Sequence, residues 1–442
     1  MSLENYLIGR KLLKEEIPKI YQKKLNSSKI TVEPGIKEKG NFLICNRCGL
    51  NSLKKDCHIK NKKRTIYYCP HCLLLGRVDS NKNLYSMKEK KGVKRPIEFV
   101  WKGKLTNEQE KISLNLVNCL KTKEHQLVHA VTGAGKTEML FLLIKEALLS
   151  GMKIAVVSPR VDVCLEIYPR FQNVFPNEEI NLLYGRQKEE YRYSKFVVAT
   201  THQMLRFFQS FDLIIVDEVD AFPYANNPVL TNAVKRALRK EGVLVYLTAT
   251  PSKDLQEEVR SQQLVLNSLP KRYHGKPLPV PVCYFDYFLN QRLAKNKLSP
   301  FLIKELNKEK KQCLIFFSNI NRMKKCFCLL RKRYPEKRMA YVYAGKEDRE
   351  ELIFKMRGGD IDWLLTTTIL ERGVTFPNID VIVYEADHQV FNTASLVQIS
   401  GRVGRKAEYP TGKIIFIHKG KTKSINEAIK QIKLMNQEAG FE

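Results

Sequence analysis

Short, nearly unbroken apolar runs punctuate the chain. One block holds Gln126–Ala130, Lys153–Ser158, Phe196–Ala199, Leu213–Val216 and Val243–Leu247. A second holds Gln312–Phe317, Ile361–Leu365 and Val381–Tyr384. These runs are rich in Val, Ile and Leu, so each reads as a buried strand. Helical patterns such as Glu138–Leu149 alternate with them, which predicts an α/β fold. Between the two blocks, residues 269–282 carry four prolines and a glycine, so a hinge is expected there, over 269–288. Upstream the pattern weakens. Residues 1–40 are lysine-rich, with a short amphipathic helix expected over 4–16, and 79–96 read as a basic linker.

The first run leads into Ala130-Val-Thr-Gly-Ala-Gly-Lys-Thr137, which fits the phosphate-binding loop with Ala in the first position. Thr132, Gly133, Ala134 and Gly135 form a curl whose N–H groups can face phosphate oxygens, and the following helix start adds positive potential. Lys136 is expected on the β- and γ-phosphates and Thr137 on Mg²⁺. Gln109, at the start of an amphipathic helix upstream, has the donor and acceptor needed to read adenine.

Further candidates stand at the ends of the other runs. Leu213–Val216 runs into Asp217-Glu-Val-Asp220, a Walker B arrangement. Asp217 is expected to hold Mg²⁺ and Glu218 to activate water. Arg160, Thr200, Thr201 and His202 follow the neighbouring strands, and Thr248-Ala-Thr250 follows Val243–Leu247. In the second block, Ser318, Thr366 and Thr367 occupy equivalent positions. Gln398-Ile-Ser-Gly-Arg-Val-Gly-Arg405 is a compact basic turn or helix start. Its Arg402 and Arg405 suit bidentate contact with a γ-phosphate, in the manner of an arginine finger.

Charge sharpens the picture. Lys and Arg number 76 against 46 acidic residues, a formal +30, so a polyanion is the expected partner. Nucleic acid comes first and an anionic membrane surface second. No apolar run is long enough to cross a bilayer, and the first residues lack the apolar core of a signal peptide, so a cytoplasmic protein is expected. Eleven cysteines include two C-x-x-C pairs, Cys45/Cys48 and Cys69/Cys72, at the spacing of a four-cysteine zinc ribbon over 41–78. Thr65–Tyr68 reads as the strand into the second knuckle and Leu73–Leu75 as its exit. Cys57, His58 and His71 stand near enough to be alternative ligands. The basic stretch Lys54–Arg64 between the pairs reads as either a phosphate contact or a solvated loop.

In order, AVTGAGKT, SPR, TTHQ, DEVD, TAT, TTTILERGVT and QISGRVGR resemble the motor core of superfamily 2 helicases over residues 97–442. That resemblance implies two tandem RecA-like domains, 97–268 and 289–442. DEVD and the loose Thr-x-x-Gln count against an RNA helicase. A narrower resemblance is carried by the four-cysteine module, Trp101-x-Gly-x-Leu-Thr-x-x-Gln109, HAVTGAGKTE, DEVDAFPY and RYHGKPLPVP. Together these resemble the ComFA family of competence ATPases, which bring transforming DNA into Gram-positive bacteria. The resemblance implies ATP, Mg²⁺ and Zn²⁺ as cofactors, and Cys45, Cys48, Cys69 and Cys72 as zinc ligands. It places Gln109 on adenine and Gln398, Arg402 and Arg405 on the γ-phosphate. Arg160, Thr200, Thr201, His202, Ser318, Thr366 and Thr367 would line a single-stranded DNA path. It further implies a cytoplasmic enzyme at the inner face of the DNA uptake channel, with ComFC and DprA as partners, and leaves the oligomeric state open. The rival is a replication-restart helicase of the PriA type, in which the cysteines are more numerous and sit within the second motor domain.

Overall fold

A computed structural model of the protein describes residues 2–61, 64–185, 191–308 and 311–441. Lys62 and Lys63 of the basic stretch lie outside the described residues. The chain divides into two compact units: one comprises residues up to Val128 and Thr137–Asn267, the other His129–Lys136 and Ser268 onward.

The first unit is built on a seven-stranded sheet. Its order is Ile180–Leu183, Phe196–Thr200, Ile154–Ser158, Phe211–Asp217, Leu238–Thr248, Gln126–Ala130 and Val265–Leu269. The first five strands pair in parallel. Parallel strands need crossover connections, and the helices Val161–Val174 and Pro228–Ala237 occur between successive strands of this sheet. Leu213, Ile214, Ile215 and Val216 are fully buried, as their unbroken apolar run requires. Each contributes about 1.5–3 kcal/mol of apolar burial. All these strands run toward one edge, so Ser158, Thr200, Asp217 and Thr248 come to the C-terminal edge of the sheet, where open α/β sheets bind ligands.

The N-terminal region differs from its expected form. Residues 4–16 are not one helix: Leu3–Leu7 is helical, Lys11–Leu13 is a strand and Lys14–Glu16 a 3₁₀ turn. The stretch read as a linker contains the strand Asn83–Ser86, which pairs antiparallel with both Lys11–Leu13 and Thr31–Pro34. Leu7, Leu12 and Leu84 share one buried cluster with Cys45, Cys48, Val197, Phe207 and Phe211, so the region is continuous with the core of the large sheet. Polar contacts lock the same arrangement. Glu16 accepts from Arg206 Nε at 3.0 Å and pairs with Arg47, whose side chain is fully buried. Glu89 and Lys153 form a completely buried ion pair at 2.8 Å, and the Tyr193 hydroxyl donates to the same carboxylate at 2.6 Å. Burial lowers Lys153 to about 8, against the attraction of Glu89. Stranding one charge of such a pair costs about 3–5 kcal/mol, which fixes the register of the segment leading into the first motor sequence.

The second unit carries a six-stranded sheet in the order Val282–Phe285, Ile414–His418, Ile379–Tyr384, Gln312–Phe316, Trp363–Thr366 and Met339–Val342. Every neighbouring pair is parallel. Val282–Phe285, expected within the hinge, is its edge strand. The apolar strand centres pack with Leu302, Leu306, Met323 and Leu330 from the helices Pro300–Lys308 and Ile320–Arg333. Among the described residues, no helix is long and apolar enough to cross a membrane.

Candidate functional site

The phosphate loop begins where Gln126–Ala130 ends and closes on the helix Lys136–Leu149. Gly133 and Gly135 have φ of +81° and +75°, a region side-chain-bearing residues rarely adopt, so the glycines permit the curl. Lys136 Nζ donates to Ala130 O at 2.9 Å and Val131 O at 3.3 Å, which holds the ammonium over the loop. Thr132 and Ala134 are buried. Thr137 Oγ1 accepts from Arg170 at 3.2 Å, and Arg170 also pairs with Glu138. Arg170, on Val161–Val174, carried no signal in the sequence, because its approach depends on the crossover bringing that helix over the loop's helix. Thr137 keeps a second lone pair, so the hydroxyl can still ligate a cation. The glycine curl, the helix start and the lysine together suit Mg²⁺ and a polyphosphate.

Asp217 ends its strand, and Glu218 follows at φ +56°. A non-glycine residue there costs about 1 kcal/mol or more, and such strain clusters at functional sites. The Glu218 N–H donates to Asp217 Oδ1 at 2.9 Å. Cys164 lies close by and is pushed up to about 12, chiefly by burial and further by Asp217 and Glu218, so it stays a thiol. Asp220 has a distinct position. Its two carboxylate oxygens accept from Thr248 Oγ1 at 2.8 Å and Thr250 Oγ1 at 2.6 Å. Strand Leu238–Thr248 lies between Phe211–Asp217 and Gln126–Ala130 in the sheet. Asp220 therefore ties the DEVD turn to the Thr-Ala-Thr segment. The two motifs stand in order along the chain, but their bond follows from that strand order.

Gln109 has a role the sequence reading missed. Its Oε1 accepts from the Thr106 N–H at 2.8 Å while its own N–H donates to Thr106 Oγ1, a capping box at the start of Asn107–Thr122. The pattern Thr-x-x-Gln before an amphipathic run was the available signal.

In the second unit, Gln398 is buried on the helix Thr393–Ser400, and Gly401–Gly404 form the turn after it. Arg402 is 1% exposed and its Nε donates to Glu371 O at 3.1 Å. Arg405 donates to Thr375 Oγ1 at 3.3 Å. A Cβ on Gly401 would fall 1.8 Å from Thr132 Oγ1, so only glycine lets this turn lie so close to the phosphate loop. Loop residues 129–136 thus share a compact unit with both candidate arginines.

The strand-end residues are distributed less evenly. Arg160 stands at the N-cap position of Val161–Val174, and its guanidinium lies 3.9 Å from the Asp162 carboxylate. Thr200 and Thr201 are buried, and His202 is half-buried, its pKa lowered by burial. Ser318 donates to the buried Glu385 at 2.8 Å. Thr366 is fully buried and donates to Thr367 O.

Cys45, Cys48, Cys69 and Cys72 bring their four sulfurs within 4.8 Å of one another, all buried. Cys45–Cys72 and Cys48–Cys69 are 3.8 and 3.6 Å apart, and none is in a disulfide. A tetrahedron of sulfurs about 2.3 Å from zinc has edges of about 3.8 Å, so the donor set fits that ion. Cys57, His58 and His71 are not in the cluster. The exit Leu73–Leu75 belongs to the 3₁₀ helix Pro70–Leu75 that presents Cys72. Four thiolates would leave no position for water, so a zinc here would be structural. Elemental analysis of purified protein is expected to find about one zinc per chain, and Cys69→Ser is expected to lose it and to lower the thermal midpoint. Intact folded protein without zinc would remove the metal assignment.

Comparison with known proteins agrees with this architecture. The family "Competence protein ComFA N-terminal domain" matches residues 1–86, "Type III restriction enzyme, res subunit" residues 102–253, and "Helicase conserved C-terminal domain" residues 295–407. Competence protein ComFA of Streptococcus pneumoniae is 44% identical over 92% of this chain and 93% of its own length. That of Bacillus subtilis is 37% identical over 99% and 95%. Among solved structures, S. cerevisiae Dbp5 bound to RNA and ADP BeF3 superposes with a TM-score of 0.57 at 19% identity, covering 75% of this chain and 88% of that one. This last likeness speaks for the fold, two tandem RecA-like helicase domains. Helicase-type domains of this kind use ATP with Mg²⁺. The chain belongs to the ComFA family of competence proteins, helicase-like ATPases with an N-terminal region of their own.

Proposed function

We propose that this protein is an ATP-driven translocase on single-stranded DNA that powers entry of transforming DNA during competence. The observation that carries the reading is the approach of the Gly401–Arg405 turn to the phosphate loop within one compact unit. In this reading Lys136 and the loop N–H groups hold the β- and γ-phosphates, and Gln109 reads adenine. Thr137 and Asp217 hold Mg²⁺, which offsets charge on the phosphates. Glu218 takes a proton from the attacking water. Gln398, Arg402 and Arg405 address the γ-phosphate. Its departure removes the charge they meet, so the turn is released once per cycle. Asp220, bonded to Thr248 and Thr250, passes the state of the DEVD turn to the adjoining strand end.

The motor comprises residues 97–268 and 289–442, with 269–288 connecting them. Arg160, Thr200, Thr201, His202, Ser318, Thr366 and Thr367 mark the strand ends along which DNA runs. The burial of Thr200, Thr201 and Thr366 favours backbone groups over their hydroxyls for those contacts. The +30 charge supports a sequence-independent, salt-sensitive grip on phosphates. Family membership supports work at the cytoplasmic face of the uptake channel with ComFC and DprA. ATP hydrolysis compared with single-stranded DNA, duplex DNA and RNA tests the substrate. Single-stranded DNA should stimulate most. Equal or greater stimulation by RNA would overturn the DNA assignment.

A further inference from the structure

The segment Arg272–His274 connects two parts of the candidate nucleotide site within the second unit. The Tyr273 N–H donates to Gly133 O of the phosphate loop at 3.2 Å. The Tyr273 hydroxyl accepts from the Ala407 N–H at 3.0 Å, just beyond the arginine turn. His274 Nε2 lies 3.0 Å from Gly404 O.

Arg272 is the unusual member. It is 2% exposed. Two of its nitrogens donate to main-chain oxygens of the arginine turn, Gly404 O at 2.8 Å and Gly401 O at 3.3 Å. Its Nε is buried and makes no hydrogen bond. A Cβ built on Gly133 would lie 3.8 Å from that Nε, so the unused donor is beside the phosphate loop. Among the described residues no carboxylate is paired with Arg272, and the charge that acts on it is another cation, Arg405. Burial first and Arg405 second lower it to about 9. Carbonyl oxygens orient a guanidinium without neutralising it. A buried guanidinium held only by carbonyls is costly until an anion arrives. Phosphate oxygens answer the Arg272 charge and match its planar donor fork.

We propose that Arg272 is a third cation for the phosphate oxygens of the nucleotide, presented beside the phosphate loop by the carbonyls of Gly401 and Gly404. This rests on the assignment of residues 130–137 to the nucleotide. Because Arg272 neighbours Arg405, it favours the triphosphate over the diphosphate. The bland alternative is a clamp on two carbonyls with no part in binding.

The test uses the full chain. Wild type, Arg272→Gln, Arg272→Lys and Lys136→Ala are titrated with ATPγS and with ADP by calorimetry, and melted without nucleotide. Arg272→Gln is expected to weaken ATPγS about tenfold or more and ADP much less, as loss of a charged hydrogen bond predicts, with the nucleotide-free melt nearly unmoved. Arg272→Lys should recover part of the loss, and it carries the test should the Gln variant fail to fold. Unchanged ATPγS affinity overturns the proposal. So does an equal loss for both nucleotides together with a lower melt, which is what a carbonyl clamp predicts. Wild type that binds neither nucleotide, or Lys136→Ala that binds both normally, overturns the nucleotide assignment itself, independently of Arg272.

Discussion

Glu218→Gln binds ATP normally and hydrolyses it about 10²–10⁴ times more slowly: that is the expected result for a positioned general base. The corresponding rise in barrier is about 2.7–5.5 kcal/mol. The amide is nearly isosteric with the carboxylate, so the strained backbone at φ +56° and the hydrogen bond of its N–H to Asp217 should persist. What disappears is the ability to take a proton from water. Phosphate release measures the rate, and titration with a fluorescent ATP analogue measures the binding. A variant that turns over at half the wild-type rate would remove Glu218 from the chemistry.

Lys136→Ala has a different expected signature. Its ammonium bonds two loop carbonyls, Ala130 O and Val131 O, and is the only cation within the octapeptide. Losing it removes the contacts to two loop carbonyls and, on the proposed reading, the charge for the phosphates. ATP turnover should fall to background. Single-stranded DNA binding, followed by fluorescence anisotropy, should survive within a few-fold, because phosphate contacts spread over a strongly basic chain are many and individually weak. Normal turnover by purified Lys136→Ala would dismantle the nucleotide assignment.

Most of the motor was legible in the sequence, and for a local reason. A strand buried on both faces must be apolar throughout, and a phosphate loop must put its glycines, lysine and hydroxyl within eight residues. The four-cysteine cluster was legible because its ligand spacing is also local. What stayed hidden depends on contacts between distant segments. Asn83–Ser86 lies in a lysine-rich stretch, and becomes a strand because Lys11–Leu13 and Thr31–Pro34 flank it. Glu89 reads as a linker charge until Lys153 meets it in the core. The N-terminal region reads as a polar appendage, yet its leucines pack with Phe207 and Phe211. Gln109 is the local exception: its amide suits adenine, while the Thr106-x-x-Gln109 pattern already signals the helix cap it makes. Arg272 sat among prolines that announced only a break, and its place beside Gly133 and Gly404 follows from the fold.

The central claim is that ATP hydrolysis by this chain is coupled to single-stranded DNA. The most direct measurement is the steady-state hydrolysis rate of the purified protein as single-stranded DNA is titrated in at low salt. A low basal rate is expected to rise several-fold and saturate, with a response that weakens as salt is added. A rate indifferent to DNA across a range where binding is independently observed would contradict the central claim.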